Sequence, residues 1–134
     1  MLFTKASEYA LLSLMHIAKS QDPQDVDAMS NVLDIPKSFL AKILQVLAKD
    51  NLLKSFKGAK GGFVLVKNPQ EYTLKEIVNS VEKKSTNVFE CSNGICPSHK
   101  GDNCSLMPVL VELQSKIDEF LITITLDDIM RNNG

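Results

Sequence analysis

Two short amphipathic stretches meet at Asp34-Ile35-Pro36, and a lysine- and glycine-rich turn between two β-prone runs follows at once. That order restricts the fold sharply. Residues 28–33 read as a short helix capped by Asp27, with Met29, Val32 and Leu33 inward. Pro36 breaks it and suits the first turn of a second helix over 37–49. This second helix buries Leu40, Ile43, Leu44 and Leu47, and leaves Lys37, Ser38, Ala41, Lys42, Gln45 and Lys49 outside. Residues 52–56 and 63–66 read as strands joined by Lys57-Gly58-Ala59-Lys60-Gly61-Gly62, whose glycines permit a tight turn and close approach to a surface. A helix-turn-helix followed directly by a basic hairpin is the winged-helix arrangement. The turn lacks the Gly-Lys-Ser/Thr sequence of a nucleotide loop.

Charge is distributed to match. The chain carries a formal net charge of −1 over 134 residues, so it is not coated in positive charge. Residues 36–68 nevertheless hold seven lysines (37, 42, 49, 54, 57, 60 and 67) against the single acid Asp50, between acidic flanks. A concentrated basic segment is the footprint of a polyanion-binding surface, although a solvated lysine-rich face would look the same.

The flanking segments are helical. Residues 4–19 carry Tyr9, Leu11, Leu12, Leu14, Met15 and Ala18 on a wide apolar face. Thr73 caps a helix to about Val81, with Leu74, Ile77, Val78 and Val81 on one side. From Leu106 an apolar seam runs through Leu110, Leu113, Ile117, Phe120 and Ile124 at spacings of four and three, which predicts a dimerisation helix. Thr125 with Asp127 and Asp128 caps a last short helix ending near Met130. The expected division is a DNA-binding domain over 1–83, a cysteine-rich loop over 84–105 and a dimerisation region over 106–134. No stretch is apolar and long enough to span a membrane, and the first twenty residues read as a folded helix rather than a leader, so the expected location is the cytoplasm.

Cys91, Cys96 and Cys104 all fall in the loop, within Cys91-Ser-Asn-Gly-Ile-Cys96-Pro-Ser-His99-Lys-Gly-Asp102-Asn-Cys104. An odd number of cysteines clustered outside any apolar element argues against a disulfide framework and for metal or redox chemistry. Three thiolates suit an iron–sulfur cluster with one coordination position left over. Zinc held with His99, or a thiol–disulfide switch, fits the same spacing.

Taken jointly, several stretches resemble the Rrf-two (IscR/NsrR) family of winged-helix iron–sulfur transcription regulators. They are Leu2-Phe3-Thr4-Lys5 with Tyr9-Ala10-Leu11, Ile35-Pro36-Lys37-Ser38-Phe39-Leu40, Leu52-Leu53-Lys54-Ser55 with Gly61-Gly62-Phe63-Val64-Leu65, Thr73-Leu74-Lys75-Glu76-Ile77-Val78, the three cysteines, and Ile124-Thr125-Leu126-Asp127-Asp128-Ile129. The likeness runs over nearly the whole chain. It implies a mainly α fold with a small β-hairpin wing and a long C-terminal dimerisation helix. It also implies a homodimer on a palindromic operator in double-stranded DNA, acting as a repressor.

By matching position, Ser38, Phe39 and Lys42 would face the major groove with Lys37 near phosphate. Lys57 and Lys60 would flank the wing tip, Gly61 and Gly62 would allow close approach, and Lys5 and Tyr9 would hold the backbone. The resemblance raises the iron–sulfur cluster, 2Fe-2S or 4Fe-4S, above zinc, with Cys91, Cys96 and Cys104 as ligands. In some members an acidic residue of the first helix, from the partner subunit, is the fourth ligand, and Glu8 matches that position. Other members use a histidine where this chain has Met107, which favours the nitric-oxide-responsive branch over sensing of iron–sulfur status; redox sensing is a further outcome the family allows.

Two positions and the cysteine spacing also depart from the family pattern. Lys57 stands where an arginine is frequent in the wing, Ala41 where IscR-like members are acidic, and the cysteine gaps of four and seven residues are uneven. The alternative function is a zinc-holding or cluster-free regulator switched by thiol oxidation. No nucleophile–base pair or carboxylate dyad is present in motif spacing, so the chain is not expected to be an enzyme.

Overall fold

Thr4 opens the first helix by accepting a hydrogen bond from Ala6 N–H at 3.2 Å on its Oγ1, which meets one of the orphan donors of a helix start. The computed structural model describes residues 4–82 and 106–132. Cys91, Cys96 and Cys104, together with His99, lie outside the described residues. The described elements are α1 (Lys5–Lys19), α2 (Val26–Leu33), α3 (Lys37–Lys49), β1 (Leu53–Phe56), β2 (Gly62–Leu65), α4 (Leu74–Glu82), α5 (Met107–Thr123) and α6 (Leu126–Asn132).

α1 is the central helix, packed against α2, α3, α4, α6 and β2. Its buried stripe is Ser7, Ala10, Ser13, Leu14 and Ile17. Small residues there let neighbouring helices approach closely, and each buried hydroxyl is satisfied: Ser13 donates to the Tyr9 carbonyl at 2.7 Å and Ser7 donates to Glu82. This stripe decides the fate of Leu12, expected inward but 38% exposed. At 3.6 residues per turn it falls on the far side from Ala10, Leu14 and Ile17. Val32, also expected inward, is 67% exposed, because α2 meets the core through buried Met29 and partly buried Val26 and Leu33. α2 begins two residues before expectation: Asp25, not Asp27, is its cap and accepts from Ala28 N–H at 2.7 Å.

The main core gathers Ala10, Leu14, Met29, Leu40, Leu44, Leu47, Tyr72, Ile77 and Leu126, all fully buried. β1 and β2 pair antiparallel in the register Leu53↔Leu65, Lys54↔Val64, Ser55↔Phe63 and Phe56↔Gly62. A third rung comes from Gln24, between α1 and α2, which bridges Phe63 in antiparallel fashion. The buried Tyr72 ties the hairpin to the body, since its hydroxyl donates to the Leu52 carbonyl at 2.7 Å and accepts from Val66 N–H at 3.0 Å.

After α5 the chain returns to this core. Thr73 and Thr125 form an isolated bridge, Leu126 N–H donates to the Tyr72 carbonyl at 2.9 Å, and Leu74 N–H to the Ile124 carbonyl at 2.8 Å. Thr125 and Asp128 cap α6 reciprocally, as the sequence predicts. Along α5 the expected seam divides between two sides. Ile117 and Ile124 pack with Leu121 against Leu74 and Val78 of the same chain. Leu106, Leu113 and Phe120 are exposed, as are Val109, Val111 and Ile122, while Leu110 is half-buried. A helix whose apolar arc is wider than one contact needs does not announce which part of it its own domain will take. Among the described residues no helix is long and apolar enough to cross a membrane.

Candidate nucleic-acid interface

Burial of Leu40, Ile43, Leu44 and Leu47 turns the opposite side of α3 outward, and Ser38, Phe39 and Lys42 stand exposed there. Phe39 meets Tyr9 of α1 edge-on, with ring centroids 5.3 Å apart and planes at 89°, an arrangement aromatic quadrupoles favour. The Lys5 ammonium lies 5.9 Å from the Tyr9 ring centre and 3.2 Å from the Glu8 carboxylate. The fold thus brings Phe39, thirty residues further along the chain, into one group with Lys5 and Tyr9. Beside it a shallow depression of about 160 Å³ is lined by Ala6, Phe39, Lys42, Ile43, Val46 and Val81.

The remaining predicted residues fall as follows. Lys37 is ion-paired with Asp27, whose hydrogen bond and charge hold the lysine above its ordinary value. Both partners are well exposed, so exchange of Asp27 for a phosphate costs little. Lys57 and Lys60 are exposed in the hairpin turn, and the Lys54 ammonium sits 5.1 Å from the centre of the exposed Phe56 ring. Among the described residues no ion pair engages Lys42, Lys57 or Lys60. Gly61 and Gly62 are demanded first by the chain itself. A Cβ on Gly61 would collide with the Phe56 carbonyl, and one on Gly62 would lie 2.6 Å from the Gln24 backbone.

Sequence reasoning missed a second group at the start of α1. One oxygen of Glu82 accepts from Thr4 N–H at 3.0 Å, from Thr4 Oγ1 at 2.7 Å and from Ser7 Oγ. Burial pushes this carboxyl up, but the bonds from Ser7 and Thr4 together outweigh it and hold the group below the usual glutamate value. Only the pairing of an acid at the end of one helix with Thr and Ser at the start of another could have signalled it, and those positions are 75 or more residues apart. Of the candidate cluster ligands, the described residues contain Glu8 alone, exposed on α1 and bonded to Lys5. His16 is occupied by Gln24, Nε2 to Oε1 3.0 Å.

Fold and surface together define a winged helix-turn-helix DNA-binding protein. The family model for Rrf2, described as an iron-dependent transcriptional regulator, matches residues 3–132, and the chain belongs to that family. It is 29% identical over 136 residues, 97% of this chain and 92% of the other, to a protein of Aquifex aeolicus described as a helix-turn-helix-type transcriptional regulator. It is 28% identical over 134 residues, 98% of this chain and 80% of the other, to the regulator IscR of Pectobacterium atrosepticum. Among solved structures it resembles CymR, the global cysteine regulator of B. subtilis, with TM-score 0.77 at 20% identity over 97% of this chain and 96% of that one. The T. potens IscR structure is similar, with TM-score 0.76 at 21% identity over 98% and 88%. These relatives are transcriptional regulators, not enzymes.

Each lysine in contact with a phosphate releases counterions, and the dependence of log affinity on log salt falls by about 0.9 per lost contact. Replacing both Lys57 and Lys60 by alanine is therefore expected to flatten that slope by roughly two per protomer. Titration of duplex DNA between low and moderate salt measures it, and an unchanged slope rules out wing–phosphate contact.

Proposed function

We propose that this protein is a cytoplasmic homodimeric repressor that binds a palindromic operator and senses its signal through an iron–sulfur cluster held by Cys91, Cys96 and Cys104. The observation that carries the DNA-binding part is the outward face of α3, where Ser38, Phe39 and the exposed Lys42 adjoin Tyr9 and Lys5. On this reading α3 enters the major groove, with Lys37 exchanging Asp27 for phosphate. Lys57 and Lys60 reach the flanking backbone from the wing. The exposed Leu106, Val109, Leu113 and Phe120 of α5 meet their copies in a second chain, which removes an apolar stripe from water.

The donor set fits the cofactor. Three thiolates are the preferred ligands of iron–sulfur iron, and an accessible carboxylate at Glu8, detachable from Lys5, supplies a fourth from the partner subunit. The bound cluster would supply a centre reactive toward oxidants and nitric oxide. The family description as iron-dependent and the likeness to IscR support this reading. The second reading is a zinc-holding or cluster-free regulator switched by thiol oxidation of the cysteines; the fold is shared with CymR, a global cysteine regulator.

Anaerobic purification separates the two. The expected result is a coloured protein whose iron and sulfide are lost in Cys91→Ala, with DNA affinity differing between cluster-loaded and cluster-free forms by about 5- to 150-fold, the usual span of allosteric coupling. Colourless protein, or equal affinity of the two forms, overturns the cluster-sensing reading. Failure of either form to retain any duplex overturns the regulator reading itself.

A further inference from the structure

Glu82 is the last residue of α4, at the point where the chain leaves for the cysteine-bearing segment, and it bonds to the opposite end of another helix. Its Oε2 takes three hydrogen bonds from Thr4 and Ser7. Thr4 Oγ1 meanwhile accepts from Ala6 N–H, so one hydroxyl both caps α1 and fastens it to α4. A carboxylate at a helix N-terminus is also favoured by the helix dipole. One turn further along α1 lies Tyr9, in edge contact with Phe39 on the outward face of α3. The end of α4 is thus bonded to the first turn of α1, and the same helix carries Tyr9 against Phe39.

We propose that Glu82 is a positioning residue that couples the state of the cysteine-bearing segment to the recognition helix. A displacement of the α4 terminus pulls on the first turn of α1 through the three bonds to Oε2, and Tyr9 passes the shift to Phe39. Ser7 makes the linkage stiff, because it is fully buried in the α1 stripe and cannot follow Glu82 without moving the helix. Mere capping would stabilise every state of the protein alike. Coupling requires that the bonds differ in strength between two states. The proposal rests on the sensing role of the cysteines.

The test compares wild type with Glu82→Gln, each reconstituted anaerobically with ferrous iron and sulfide and each also stripped with a chelator. DNA affinity is measured on a duplex selected by the wild-type protein from a random pool. The amide accepts more weakly than a carboxylate, so the ratio of affinities between loaded and stripped forms is expected to fall at least threefold toward one. The thermal midpoints of the two forms should drop unequally, because the bonds differ in strength between them, and an equal drop would mean capping alone. A full wild-type ratio in Glu82→Gln overturns the coupling while leaving the sensing reading intact. A wild-type ratio of one overturns the sensing reading, and the coupling with it. Should Glu82→Gln fail to fold, Ser7→Ala and Tyr9→Leu replace it, with the same reduced ratio expected and the same full ratio overturning the proposal.

Discussion

Gly62→Ala is expected to separate the wing from Gln24 and cost about 3 kcal/mol or more of unfolding free energy. Gly62 sits at φ +146°, and a methyl group there would lie 2.6 Å from both the carbonyl carbon and the oxygen of Gln24. The obstruction is backbone, which cannot rotate away. The two hydrogen bonds that make Gln24 a third rung, Gln24 N–H to the Phe63 carbonyl at 3.1 Å and Phe63 N–H to the Gln24 carbonyl at 2.9 Å, must therefore break. Each contributes about 0.5–1.5 kcal/mol net, and a side chain in that region of φ adds about 1–3 kcal/mol of strain. Gly58→Ala is the control: its φ of +107° carries strain, but nothing lies within 4 Å of the added methyl. Urea unfolding followed by circular dichroism should rank Gly62→Ala well below Gly58→Ala. Equal losses would mean that the Gln24 rung does not hold the wing. DNA affinity should fall with Gly62→Ala even under conditions where it remains folded, because Lys57 and Lys60 lose their fixed position.

Leu126→Ala is expected to lower unfolding free energy by about 2–5 kcal/mol, the range for truncating a fully buried leucine. For a domain with roughly 5–15 kcal/mol in total, that is a large share. Leu126 is fully buried beside Ala10, Leu14 and Tyr72, and its own N–H is bonded to the Tyr72 carbonyl. Loss of its side chain therefore opens a cavity under the helix-turn-helix, some fifty residues or more away in sequence from everything it supports. Phe120→Ala, on the 60% exposed side of α5, is expected to leave the stability of the single chain nearly unchanged. Denaturation of both variants, matched and dilute enough to keep the chains apart, measures the contrast. If Leu126→Ala left the transition of the remainder untouched, α6 would be an appendage and not part of the core.

That contrast also marks how far the chain could be read without coordinates. Leu40, Ile43, Leu44 and Leu47 follow the helical period and all lie inside. Their burial alone forces Ser38, Phe39 and Lys42 outward. The caps at Thr73 and Thr125 are local chemistry, and both form. Leu12 and Val32 misled because an apolar residue declares that it is tolerated inside, not that a neighbour will arrive. The interior of α1 is made partly of Ser7 and Ser13, whose hydroxyls read as polar until their partners are in place.

Local pattern by itself determined the order of helices and hairpin, which side of α3 faces outward, the charge on the hairpin turn and the grouping of the thiols, because each depends on residues within a few positions of one another. The tertiary structure decided what depends on distant segments meeting. It seated Leu126 in the DNA-binding core, gave Ile117 and Ile124 to the chain's own α4, laid Gln24 against Phe63 and set the Glu82 carboxylate on Thr4 and Ser7. Such contacts form because the chain must cover apolar surface and satisfy every buried donor at once. That condition belongs to the whole molecule, and no single stretch of sequence carries it.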